Sequence, residues 1–167
     1  MSIRRFAGSV AIALLALFNP HPGYAAREPD MPQLRPGLTN IDLNYPGVGV
    51  RTFVSDKTAL EARVQFERSD LAAGIRYYWY PTLSKVDRRF RPYLCLEGDY
   101  VVFKKASTKG DGFAAGSFAG IEYALSRQFA VQIDAGPEVF FIRNKDTSAT
   151  GRELEFILSF GLNYYFK

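Results

Sequence analysis

The stretch ELEFILSFGLNYYFK, residues 153–167, decides the fold. Leu154, Phe156, Leu158, Phe160, Leu162, Tyr164 and Phe166 fall on one parity, and Glu153, Glu155, Ser159 and Asn163 on the other. Successive side chains of a strand point to opposite faces, so this is a strand with one apolar and one polar face. At about 3.4 Å per residue the apolar stripe is roughly 40 Å long, more than soluble strands usually present. A membrane-crossing strand needs about nine to eleven residues in hydrocarbon and aromatic residues at the water boundary, and this stretch supplies both. It reads as the closing strand of a barrel.

Upstream, the same period recurs. Ile41, Leu43 and Tyr45 alternate with Asp42 and Asn44 before the turn residues Pro46-Gly47. Val48, Val50, Thr52 and Val54 oppose Arg51 and Phe53; Leu60, Ala62, Val64 and Phe66 oppose Glu61, Arg63, Gln65 and Glu67. Leu71, Ala73, Ile75, Tyr77 and Trp79 oppose Gly74, Arg76 and Tyr78, up to Pro81. After a charged linker, Thr82 to Phe90, come Pro92 to Val102, then Ala115 to Leu125, then Phe129 to Phe141. Lys104 to Gly112 and Arg143 to Arg152 read as exposed polar loops. Pro137 removes a ladder donor, which predicts a bulge beside Gly136. The count is eight strands and no helical period after residue 25, which predicts an all-β, closed, eight-stranded antiparallel up-and-down transmembrane barrel.

The front of the chain reads differently. Arg4 and Arg5 precede an apolar run, Phe6 to Phe18, and the small residues Gly23 and Ala25 stand at −3 and −1 of a cleavage site. That is the anatomy of a secretory signal peptide over residues 1–25, with an apolar core too short to span a bilayer as a helix. The expected organisation is a signal peptide at 1–25, an irregular leader with Pro29, Pro32 and Pro36 at 26–37, and one barrel domain at 38–167. Cleavage removes two arginines, so the mature chain has 21 − 2 = 19 basic against 17 acidic residues, a net charge of +2 instead of +4. No basic stripe is left to suggest nucleic acid.

Cleavage also removes His21, the only histidine, and with it any histidine-dependent triad or zinc site. Cys95 is the only cysteine, which excludes an intramolecular disulfide and a cysteine metal cluster. It reads as a small buried residue on a strand. No cofactor, catalytic residue or metal ligand is expected.

Alternation alone fits both a membrane barrel, apolar outside, and a lipocalin-like soluble barrel, apolar inside. The lysines separate them. Lys57, Lys85, Lys104, Lys105, Lys109, Lys145 and Lys167 all fall in predicted turns, loops or the terminus, whereas a soluble barrel would place lysine on its wetted strand faces. The polar parity instead carries Arg51, Glu61, Arg63, Arg76, Glu97, Asp99, Glu122 and Asp134, a mixture of signs suited to pairing inside a closed interior. Trp79, Tyr80, Tyr100, Tyr123, Phe141, Tyr164 and Phe166 lie near strand ends, where an aromatic girdle would stand.

With these residues in view, the chain resembles the small outer-membrane β-barrels, of the OmpA transmembrane-domain, OmpX-like and opacity types, over Leu38 to Lys167. The sharpest match is to their C-terminal assembly signal, Gly-x-x-aromatic-x-aromatic, which stands here as Gly161, Tyr164 and Phe166, followed by Lys167. The resemblance implies location in the outer membrane, recognition by the barrel-assembly machinery and a monomer among outer-membrane lipid and lipopolysaccharide. An eight-stranded interior is just wide enough to be filled by side chains, so the expected role is structural or one of surface interaction, without enzymatic activity. Lys104, Lys105 and Lys109 are candidate contacts for lipid headgroups. A narrow porin-like channel lined by Glu97, Asp99, Glu122 and Asp134 is the alternative, and a soluble lipocalin-like binding barrel the second alternative.

Overall fold

The alternation is realised as eight strands: β1 (Thr39–Asn44), β2 (Gly47–Phe53), β3 (Thr58–Glu67), β4 (Asp70–Trp79), β5 (Phe90–Lys105), β6 (Thr108–Ala124), β7 (Phe129–Asn144) and β8 (Thr150–Phe166). The computed structural model describes residues 32–67, 70–82, 89–105, 108–145 and 149–166; the predicted signal peptide lies outside them. Each strand pairs antiparallel with its sequence neighbours and β1 pairs with β8, so the sheet closes into a barrel, and no helix occurs among the described residues.

The register fixes the width. From Asp42, successive partners around the barrel are Gly49, Arg63, Gly74, Asp99, Ala114, Phe140 and then Glu153, yet Asp42 itself pairs with Asn163. The stagger is 163 − 153 = 10 residues. For eight strands this corresponds to a tilt of roughly 40° and an interior that side chains alone can fill.

The wall is uneven. β5 to β8 have 16 or 17 residues each, β1 and β2 only 6 and 7. β1 pairs with Gly161 to Phe166 of β8, and the backbone N–H of Tyr45 adds a bond to the Phe160 carbonyl. Above that point β8 pairs with β7 alone among the described residues. On the outer face there, Phe156 is 75 % exposed, with no β1 neighbour to shade it.

Four sequence expectations are corrected. Lys104, Lys105 and Thr108 to Gly112 are strand rather than loop, because β5 and β6 stay paired out to Lys105↔Thr108; residues 106 and 107 lie outside the described residues. Arg143 to Arg152 likewise contributes to β7 and β8, which pair out to Arg143↔Thr150. These ends are polar on both faces, which reads as loop, but the hairpin is braced by Tyr100 Oη donating to Asp111 Oδ2 (2.7 Å) and by Lys145 Nζ at 3.2 Å from Asp111 Oδ1. No bulge marks Pro137: the β6–β7 ladder skips two positions between Gly116↔Glu138 and Ala119↔Ala135 and resumes in the same register. Proline there costs a hydrogen bond toward β6 without inserting a residue, while pairing to β8 runs through Pro137↔Phe156. Finally, Tyr80 faces inward and is buried, one parity away from Trp79, so it does not belong to an outer girdle.

Candidate functional site

The two faces of the sheet have opposite character. Outward-facing Leu60, Ile75, Leu96, Phe113 and Leu158 are among the exposed large apolar residues, while the inward face is charged and buried. All eight residues expected in a polar core, Arg51, Glu61, Arg63, Arg76, Glu97, Asp99, Glu122 and Asp134, lie inside the barrel and are buried.

The interior is built in layers. At the end where β1 begins and β8 finishes, Leu38, Phe53, Tyr80, Tyr93 and Tyr165 pack into an aromatic floor. Phe53 and Tyr80 rings are 5.4 Å apart, and Tyr80 and Tyr93 rings 5.6 Å. The floor forms there because Phe53 ends β2, Tyr80 follows β4, and Tyr165 stands at the end of β8. Arg91 ties the leader to it by donating to the Pro32 carbonyl.

Above the floor sits Arg51, fully buried. Its Nε donates to Glu61 Oε2 (2.9 Å), Nη1 to Tyr80 Oη (3.0 Å) and Glu122 Oε2 (3.4 Å), and Nη2 to Asp42 Oδ2 (2.8 Å), Tyr78 Oη (2.9 Å) and Gln132 Oε1 (2.9 Å). The guanidinium also lies 3.9 Å from the centre of the Tyr78 ring. A planar fork of five N–H groups suits this ring of acceptors in a way an ammonium could not. Glu122 is held in turn by Tyr165 Oη (2.7 Å), Asn163 Nδ2 (3.2 Å) and Arg91 Nη1 (3.2 Å). Asn40 donates to Asn163 (2.6 Å), which links β1 to β8 across the closing seam.

A second centre lies higher. Arg76 reaches Glu97 through Nε (2.7 Å) and Asp134 through Nη1 (3.3 Å), and Tyr93 Oη donates to the same Asp134 oxygen (2.7 Å). Arg63 Nη1 lies 2.9 Å from Glu97 Oε1. Beyond it, toward the far rim, oxygens of Glu97, Asp99 and Glu138 all lie within 4.8 Å of one another.

Asn40, Asp42, Gln132, Glu138 and Asn163, with the tyrosines 78, 80, 93 and 165, belong to this interior although the sequence reading did not include them in the core. A signal was present: Tyr78 shares parity with Arg76, Tyr93 with Glu97, and Tyr165 with Asn163. Of these tyrosines the sequence reading places only Tyr80 in the outer girdle. Chemically the interior is a set of charges and donors pinned to one another, in which Asp42 Oδ1, Glu61 Oε1, Asp99 Oδ1 and Asp134 Oδ1 have no hydrogen-bond partner. Cys95 is buried among them.

Gly161 points inward, where a Cβ would lie 2.7 Å from Asp42 Oδ1 and 2.9 Å from the Gln132 side chain, so any larger residue would have to push these two side chains aside. Tyr164 and Phe166 face outward, with ring centres 6.3 Å apart. Lys104 and Lys105 fall at the end of β5, with side chains outside the described set; Lys109 is exposed near the tip of the β5–β6 hairpin, at the end away from the termini. The predicted core is thus gathered inside the wall, and the lysines and C-terminal motif stand apart from it. No protein-family model matches this chain, and no curated protein matches it.

Proposed function

We propose that the protein is a small outer-membrane β-barrel with a structural or surface-interaction role and no enzymatic activity. One observation carries the reading. On the outer face of β5 and β6 two directly paired aromatic couples occur, Phe90 with Tyr123 (ring centres 4.7 Å apart) and Tyr100 with Phe113 (5.3 Å), separated by ten residues along both strands. Ten residues of strand tilted by roughly 40° rise about 25 Å, the height of the apolar band between the aromatic girdles of such barrels. Between the couples the outward positions are Pro92, Leu94, Leu96 and Gly98 on β5 and Ala115, Ser117, Ala119 and Ile121 on β6, none of them charged. A closed sheet satisfies its backbone internally, as lipid demands.

The termini then lie on the periplasmic side, and Lys109 with the β5–β6 and β7–β8 hairpins on the outer surface, within reach of lipopolysaccharide phosphates. Tyr164 and Phe166, exposed on the last strand, are placed for the barrel-assembly machinery to read. The packed floor and the buried Arg51 centre support a plugged barrel over the channel alternative, and the apolar outer face weighs against a soluble lipocalin-like one. The test is membrane fractionation followed by gel electrophoresis with and without boiling. A folded barrel is expected in the outer-membrane fraction with a mobility that changes on heating. Recovery as a soluble protein without detergent refutes the proposal.

A further inference from the structure

The upper chamber holds more negative charge than its arginines neutralise, and we propose that it binds a divalent cation, Ca²⁺ by preference, between Glu97, Asp99 and Glu138. Oxygens of the three carboxylates lie within 4.8 Å of one another, and all three residues are buried. Glu97 already holds Arg63 and Arg76. Asp99 and Glu138 have no lysine or arginine at ion-pair distance among the described residues.

Two observations beyond the clustering point the same way. Asp99 is only 4 % exposed, and its Oδ1 has no hydrogen-bond partner. A buried carboxylate oxygen without a donor is expensive unless something outside the protein satisfies it. Glu138 also stands directly opposite Glu155 across β7 and β8, a like-charge pair that destabilises a sheet. The charge count agrees: Glu97, Asp99, Asp134, Glu138 and half-buried Glu155 stand against Arg63 and Arg76, so the group is 5 − 2 = 3 negative charges in excess. One divalent cation cancels most of that excess.

Gly74 gives Asp99 its place: a Cβ there would stand 1.9 Å from Asp99 Oδ1, so the missing side chain lets the carboxylate lean over β4. The donors are all oxygen, with no imidazole or thiolate, which suits a hard cation. Flexible carboxylates completed by water suit Ca²⁺ better than the strict octahedron Mg²⁺ demands. Glu155, half-buried and one strand on, adds a carboxylate beside Glu138.

The experiment uses the full folded chain, stripped with a chelator, and follows its thermal unfolding and calorimetric heats as CaCl₂ is added. Ca²⁺ is expected to raise the unfolding temperature of the wild type. Asp99→Asn and Glu138→Gln should each raise the Ca²⁺ concentration for half the effect by at least about tenfold, because affinity at such sites follows ligand charge. Both variants should also unfold at higher temperature than the wild type when Ca²⁺ is absent, since repulsion is relieved. Glu153→Gln, the same charge change on an exposed residue of β8, should respond like the wild type. A wild type indifferent to Ca²⁺ overturns the proposal, and so does an equal response in all four proteins, which would place the cation on the surface.

Discussion

Replacing Arg51 with methionine keeps the volume of the side chain but removes the one cation that touches Asp42, Glu61 and Glu122 together, at 2.8, 2.9 and 3.4 Å. Only Glu122 keeps another arginine, Arg91 at 3.2 Å. Asp42 and Glu61 are left buried beside Tyr78 and Gln132 with no positive partner in contact. Breaking a buried ion pair by deleting one member costs about 3–5 kcal/mol, and two stranded carboxylates place this variant at the upper end. With urea slopes of about 1–3 kcal/mol per molar, the unfolding midpoint should fall by at least about 1 M. Urea titration of the protein in lipid or detergent, read by tryptophan fluorescence, measures it. Adding Glu61→Gln to Arg51→Met should recover part of the loss, because it removes one stranded charge at nearly constant shape. Arg51→Lys, which keeps charge but loses the fork, should fall between. A loss within about 0.5 kcal/mol, the range of ordinary surface substitutions, would refute the view that Arg51 organises the interior, as would a double variant no more stable than the single.

Gly74→Ala and Gly98→Ala separate inner from outer face. A Cβ at Gly74 would stand 1.9 Å from Asp99 Oδ1 and 2.3 Å from the Gly98 carbonyl, whereas at Gly98 nothing lies within 4 Å. The first should destabilise by about 1–3 kcal/mol and the second by close to nothing, read by the same titration. Ile75, outward on β4 and 62 % exposed, tests the surroundings of the outer face. In a bilayer Ile75→Arg should cost about 2–4 kcal/mol and lower the folded yield in lipid vesicles; no cost would mean that the face is wet. Cys95, 2 % exposed, should stay inert to a thiol reagent until the barrel unfolds; labelling of the folded protein at the unfolded rate would contradict its placement.

The strands and their inside and outside were legible because a period of two survives any sequence detail: Leu154 to Phe166 and Phe129 to Phe141 need only alternate. The charged core was legible for the same reason, since Arg51, Arg76 and Glu97 interrupt apolar runs at one parity. Strand ends were not. Lys104, Lys105 and Lys109 read as loop because nothing apolar marks them, but pairing continues wherever a neighbouring strand continues, and that depends on register. The interior tyrosines were half legible. Tyr78 shares the parity of Arg76 and Tyr93 that of Glu97, but that the hydroxyls of Tyr78, Tyr93 and Tyr165 are donors to Glu61, Asp134 and Glu122 depends on which side chains meet inside the barrel. The meeting of Glu97 and Asp99 with Glu138 was beyond pattern altogether, because it depends on which strands stand next to β6.

The low rim of the barrel has a mechanical consequence. The first and last strands are stitched by six directly paired residues, whereas β5 and β6 share sixteen. β1 and β2 share six pairs as well but are joined by their turn, so a cylinder sewn so unevenly should unzip between β1 and β8 while the tall half stays intact. The amides of Ile41 and Leu43 should accordingly trade hydrogen for deuterium well before those of Leu96 and Ile121, and Asn40 and Asn163 serve as the clasp that delays the tear.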